Sequence, residues 1–366
     1  MGFASATTSD QLVALNALPE VGRATLCRLA LDLPAWAEAA AADLPAIAAR
    51  LGVPISALRR ARAELANAGA VADRERRAAA ALGASVVTLV DESYPEPLRE
   101  LALPPPVLYC RGTLPRGQAV AVVGSRRPTD YGRETAWWFA RELARHGATV
   151  VSGFARGVDG AAHRGALAGG GRTVAVLGCG LDVRYPVFNH RDLAAPIAAS
   201  GALLSELPMG TPPLKQHFPV RNRVIAALSR SVVVVEAACH SGSLITAHLA
   251  LELGREVLAV PGRLCDETAQ GCNALIADGA RPALRPQDAL PEPEHDATAA
   301  DAEPAPPLPG LAARLWTELP PTAVRGAEAL ARACAAGVDE TLAALLELEL
   351  GGWVARLPGP AYCRRG

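Results

Sequence analysis

The chain has almost no lysine. Of the 36 basic side chains in its 366 residues, Lys215 is the only one that is not an arginine. A bias towards arginine explains the rest and makes the one exception worth following. Aromatic residues are only 4% of the chain. No run of about 18 apolar residues is free of charge, which excludes a transmembrane helix. The start, "MGFASATTSD", has no basic residues leading into an apolar stretch, so no secretory leader is expected. The eight cysteines include no C-x-x-C pair. That argues against structural zinc and a disulfide framework, and it fits reduced thiols in a cytoplasm. A dinucleotide-binding turn is missing too. In "VAVVGSRRPTDYGRE", residues 120–134, a β-branched run ends on Gly124, but Ser125, Arg126 and Arg127 follow where more glycines would be needed. No Ser-His-Asp or Cys-His arrangement and no metal-ligand spacing stands out, so no catalytic residue, metal or cofactor is expected.

What is present is a chain of several domains, 50% apolar and long enough to bury a sizeable core. Residues 1–80 are Ala-rich with helical spacing, broken at "ALPEVGRATL", and read as a helical helix-hairpin-helix domain of the SAM-like type. Its turn, with Pro19 and Gly22, either offers amides to a phosphate or simply joins two helices of a small bundle. Residues 81–117 read as a proline-dense connector without helix. From 118 to 281, short β-branched runs alternate with amphipathic stretches. The runs fall at 120–123, 148–151, 173–177, 202–204, 232–235 and 256–260, the pattern of a doubly wound, mostly parallel, Rossmann-like α/β sheet. Residues 282–308 form an acidic Pro/Ala linker with no periodicity. Residues 309–366 suggest a winged helix, with its wing around Pro358-Gly359-Pro360. The third helix there, "DETLAALLELELGG", carries Asp339, Glu340, Glu347 and Glu349 and no base. Phosphates repel such a helix, so a protein-contact or structural role fits it better than major-groove reading.

The net charge of −1 conceals a segregation. Residues 116–281 hold 18 basic and 13 acidic side chains, whereas 282–308 hold one base and six acids. A polyanion would be drawn to the sheet domain. Each of the six expected strands releases Gly or polar residues at its end, where open α/β sheets bind ligands. Gly124, Gly153 and Gly157 suit close approach of amides to an anion. The helices expected to start at 130–132 and near Asp159 would add positive dipole ends, and Arg126 a planar fork. Asp159 reads as a helix cap and His163 as a packed histidine. The segment "TPPLKQHFPVRNRVIAALSR", 211–230, has Lys215, Arg221, Arg223 and Arg230 with no acid, and interleaves His217 and Phe218. Cations beside a ring suit single-stranded nucleic acid, for which stacking contributes about 1–3 kcal/mol per base. Equally, Phe218 could fill a core while the arginines cap a helix.

Six stretches now combine: "GSRRPTDYG", "VSGFARGVDGAAH", "GCGLDVRYPVFN", "LLSELPMGTPPLKQHFPVRNRVIAALS", "EAACHSGSLITAHLALELGREVLAVPG" and "GCNALIADGA". Their order and spacing resemble the DNA-processing protein A family (DprA, also called Smf) over about residues 94–280. The helical start and the winged helix look like family additions, and only the loop Arg263–Gln270 departs from the pattern. The resemblance implies a non-enzymatic single-stranded DNA-binding protein. It would protect incoming strands in natural transformation and recombination, help load the RecA recombinase, and act as a homodimer joined through the α/β domain. Carried over by motif, the strand-binding candidates are Gly124, Ser125, Arg126, Arg127, Gly153, Lys215, His217, Phe218, Arg221, Asn222, Arg223, Gly242 and Ser243. A rival is a nucleoside monophosphate-hydrolysing enzyme of the lysine-decarboxylase-like type, but its P-G-G-x-G-T motif with a catalytic Glu is replaced here by "HSGSLITA". An oxidoreductase is excluded by the missing dinucleotide turn.

Overall fold

The computed structural model describes residues 7–18, 21–114, 117–291, 308, 310–319, 325–351, 353–357 and 361–364. Pro19 of the expected hairpin turn, Pro358-Gly359-Pro360 of the expected wing and residues 292–307 of the expected linker lie outside these. The chain divides into two compact units, Met1–Pro291 and Glu292–Gly366.

The first unit is built on nine strands: β1 (Ala84–Thr88), β2 (Val107–Gly112), β3 (Ala119–Val123), β4 (Thr149–Ser152), β5 (Thr173–Val176), β6 (Ala202–Ser205), β7 (Ser231–Val234), β8 (Glu256–Ala259) and β9 (Arg281–Pro282). Their spatial order is β1-β2-β6-β5-β4-β3-β7-β8-β9. From β6 to β9 every pairing is parallel, whereas β1–β2 and β2–β6 are antiparallel. The central strands β4 to β7 are buried at every residue, as parallel strands covered on both faces must be. Each of the six expected runs is a strand. The expected connector differs. It contributes β1 and β2 to the sheet and holds the one-turn helix α7 (Glu96–Arg99). Pro104, Pro105 and Pro106 stop just short of β2, so they fix its entry without removing a ladder amide.

Helices cover both faces. On one, α8 (Asp130–Arg145) and α9 (Val158–Ala168) pack Phe139, Leu143 and Val158 on Val120, Val122 and Val233. On the other, α11 (His217–Leu228), α12 (Gly242–Glu252) and α13 (Glu267–Ala277) pack Val224, Ala247 and Cys272 on Val123, Val232 and Val257. Residues expected as a separate helical domain form α1 (Thr8–Asn16), α2 (Arg23–Leu31), α3 (Leu33–Ala37), α4 (Leu44–Leu51), α5 (Ile55–Leu65) and α6 (Ala68–Ala81). These share a core with the sheet and with α10 (Val187–Ser200): Trp36, Leu58 and Leu15 cluster with Tyr109, Leu177, Ile197 and Leu203. At the expected hairpin, Asn16 Nδ2 and the Arg23 guanidinium both donate to the Glu206 carbonyl, at 3.2 and 3.0 Å. That end of the hairpin faces protein.

The second unit comprises α14 (Gly310–Glu318), α15 (Ala327–Ala333), α16 (Val338–Leu350) and a three-stranded sheet of β10 (Arg325–Gly326), β11 (Val354–Leu357) and β12 (Ala361–Arg364). Leu315, Leu330, Leu345 and Val354 form its core. Along α16, Val338, Leu342, Leu346 and Leu350 recur every four residues and are all exposed.

Candidate nucleic-acid interface

Strand order reverses at β3 and β7. The crossover from β3 leads to β4 on one side, while β7 lies on the other. Open α/β sheets bind ligands at such a point, beyond the carboxyl ends of the strands. A cavity of about 870 Å3 lies there, lined by Gly124–Arg127, Ala155, Asp159, Tyr185, Pro213, Lys215, Phe218, Arg221, Asn222 and, after β7, Ala238, His240–Ser243, Ile245 and Thr246. The loops after β3, β4, β5, β6 and β7 therefore converge. The loop after β8 does not, because Gly262 exchanges hydrogen bonds with the Asn273 side chain, both at 3.1 Å.

Two amides of the turn after β3 are taken up within the protein. A Cβ at Gly124 would stand 2.8 Å from Val158 Cγ2 and 2.9 Å from the Glu236 carbonyl, so glycine admits protein at that point. The Ser125 amide donates to that same carbonyl at 2.7 Å, and the Arg127 amide donates to Ser125 Oγ at 3.0 Å. The dipole ends of α8 and α9 are also occupied. Glu236, buried, accepts from the Thr129 amide and hydroxyl at 2.9 and 2.5 Å, just ahead of α8. Asp159, in the first turn of α9, accepts from the Ala155 amide at 3.2 Å. It lies beside the guanidinium of Arg221, the two together filling the space over Gly153. Burial raises the Asp159 carboxyl above its usual range, with Arg221 opposing. Near the starts of α11 and α12, Phe218 and Gly242 line the cavity.

Side chains supply the free charge. Arg126, Arg127 and Lys215 are exposed on the rim and pair with no carboxylate among the described residues. Phe218 is half-buried. A Cβ at Gly178 would stand 2.9 Å from its ring, so the glycine lets the ring approach the loop after β5 closely. The Arg126 guanidinium lies 4.9 Å from the ring centre, within cation–π range. Tyr185, 40% exposed, lies 5.9 Å from Phe218 and tilted by 48°. Sequence reasoning missed Tyr185. It lies inside the quoted "GCGLDVRYPVFN", and the scarcity of rings was the available signal.

Three of the expected residues lie apart from the cavity wall. Gly153 is buried beneath it, where its carbonyl accepts from Arg221. His217 begins α11, its Nδ1 3.2 Å from the Pro212 carbonyl. Arg223 donates to Glu206 Oε2 at 2.5 Å and to the Leu103 carbonyl at 2.8 Å, a fastener between α11, the end of β6 and the chain before β2. Arg221 touches the cavity but is only 4% exposed, and its guanidinium donates to the Gly153 and Val176 carbonyls. Burial lowers its pKa to about 10, with Asp159 opposing. Both guanidiniums already donate to the protein's own acceptors, and Asn222 braces the wall by donating to the Gly242 carbonyl at 3.2 Å. His163 is packed as expected, with Nδ1 2.7 Å from Thr173 Oγ1.

Comparison with known proteins identifies the family. The family described as DNA recombination-mediator protein A matches residues 85–293, and the DprA winged helix domain matches 299–360. Protein Smf of Escherichia coli is 40% identical over 282 residues, covering 73% of this chain and 74% of its own. The X-ray structure of DNA processing protein A from Streptococcus pneumoniae superposes with a TM-score of 0.65 at 34% identity, covering 79% of this chain and 99% of that one. A Helicobacter pylori DNA processing protein A, solved for its single-stranded DNA binding mode, gives 0.51 at 36% identity over 56% of this chain and 93% of its own. The chain belongs to the DNA-processing protein A (DprA/Smf) family.

Proposed function

We propose that this protein binds single-stranded DNA in the cavity between β3 and β7 and acts as a recombination mediator, not as an enzyme. The observation that carries this is a half-buried ring, Phe218, with Arg126 over it and Lys215 beside it in one open cavity. A base stacks on the ring whatever its identity, while the cations meet the backbone. Duplex DNA hides its base faces and gains nothing from such a site. The carboxylates of Asp159 and Glu236 support binding over catalysis, because both are engaged by the protein's own donors. Loading of RecA, protection of incoming strands in transformation, pairing of two copies through the sheet domain, and a cytoplasmic setting belong to this reading by family resemblance. No helix among the described residues is long and apolar enough to cross a membrane.

Anisotropy titrations with oligo-dT test it. Affinity falls with salt, at a log-log slope near −0.7 per neutralised phosphate, and duplex of the same length binds more weakly. Binding that ignored salt or favoured duplex would refute the proposal. Release of free base from nucleoside monophosphates would instead favour the hydrolase reading.

A further inference from the structure

We propose that the surface around Phe188 is a second stacking subsite, on which a strand continues after leaving the cavity past Tyr185. The inference rests on the cavity being the single-strand site. Phe188 is 51% exposed at the start of α10, so it is not a core residue. Its backbone is nevertheless fixed. The next residue, Asn189, is buried and donates to the Phe154 and Ala155 carbonyls at 3.0 and 2.8 Å. The ring is thus held in solvent by its neighbour's anchoring, already placed for a ligand.

Its surroundings suit a polyanion with flat bases. The guanidiniums of Arg164 and Arg191 each lie 5.5 Å from the Phe188 ring centre. Arg184, four residues before Phe188, and Arg156, which follows the Ala155 that Asn189 contacts, are exposed, and neither is paired with a carboxylate among the described residues. Asp182 and Asp192 oppose them: Asp182 accepts from the Gly210 amide, and Asp192 pairs with Arg191 at 2.7 Å. Four cations against two carboxylates leave the patch positive, and a ring flanked by guanidiniums matches the cation–π and stacking elements of single-strand tracks. The patch also continues the cavity wall. Tyr185 lines the cavity and precedes Phe188 by three residues, so their Cα atoms are at most about 11 Å apart. Ala155, also in the wall, is the residue to which Asn189 is bolted.

The test uses the full chain and two oligo-dT probes, one of about six nucleotides that fills the cavity and one of about twenty that overruns it. Phe188→Ala weakens binding of the long probe by roughly 5- to 150-fold, the worth of one stacked base, and leaves the short probe unchanged. Arg184→Glu, at an exposed position, does the same and covers the case in which Phe188→Ala fails to fold. Phe218→Ala weakens both probes. If the variants bind both lengths as wild type does while Phe218→Ala weakens both, the track is refuted and the cavity stands; the patch is then a protein-facing surface. Equal loss on both probes also refutes it, by placing Phe188 within the cavity site. If wild type binds neither probe, the cavity reading itself fails.

Discussion

Arg126 and Arg221 carry the same guanidinium into one cavity wall, yet their substitution should act on different quantities. Arg126 is exposed and leans on a ring. Arg126→Ala, like Lys215→Ala, removes a charge proposed to meet phosphate and should weaken oligo-dT binding by about 1.5–3 kcal/mol. The melting temperature should stay put, because loss of one cation from a positive rim relieves repulsion. Arg221 is buried against Asp159 and two carbonyls. Arg221→Ala leaves the buried Gly153 and Val176 carbonyls without their donor and removes the nearby opposite charge from Asp159, and should cost about 1–3 kcal/mol of stability per orphaned group. Thermal melts run beside the titrations separate the two; an Arg221→Ala protein that melts normally but binds poorly would make Arg221 a phosphate contact after all. Phe218 lies between these cases. Half-buried, its replacement by Ala should lower affinity by about 1–3 kcal/mol while the fold survives. A loss of about 3–5 kcal/mol in stability would mark it as core instead.

At the scale of elements, the joint between α9 and β5 rests on a neutral histidine. His163 is fully buried, bound to Thr173, and its pKa is lowered from 6.5 to about 3 by burial, with Arg164 and Arg221 adding repulsion. The folded state therefore holds fewer protons than the unfolded state below pH 6.5. The stabilisation is complete above that value and is lost as pH falls towards 3, at up to about 1.4 kcal/mol per unit. Urea unfolding at pH 7 and pH 5 should show that slope in wild type and a shallower one in His163→Gln. Elements such as β4 to β7 are legible in the sequence because a short strand buried on both faces is a run of apolar residues with Thr or Ser only at its ends. β1 and β2 are harder to see, since the prolines between them mask a pairing made across the turn. The cavity's free cations are legible as charge beside a ring. The tying of Arg221 and Arg223 is not, because their partners Val176, Gly153 and Leu103 lie 45 to 120 residues away, and only the fold brings them together. The glycine after β3 misleads for a similar reason, since what approaches it is Val158 and Glu236.

For the molecule as a whole, charge is divided between the two units. Residues 292–366 carry 11 acidic and 6 basic side chains, so removing them turns a chain of net charge −1 into one of +4. The acids include Asp339, Glu340, Glu347 and Glu349 on α16, the helix that would have to enter a groove if the second unit read DNA. A unit of net negative charge tethered to a cationic cavity adds a repulsive field for the same ligand, felt within about 8 Å at physiological salt and farther at low salt. Truncation after Pro291 should therefore leave oligo-dT affinity unchanged at 0.15 M salt, within about twofold, and raise it at low ionic strength. The unit ending there has its own cores on both sheet faces, so circular dichroism should report an intact fold beside the anisotropy measurement. A truncated protein that keeps its fold but loses most of its affinity for single strands would move the binding site into residues 292–366, and with it the meaning of every cation on the β3–β7 rim.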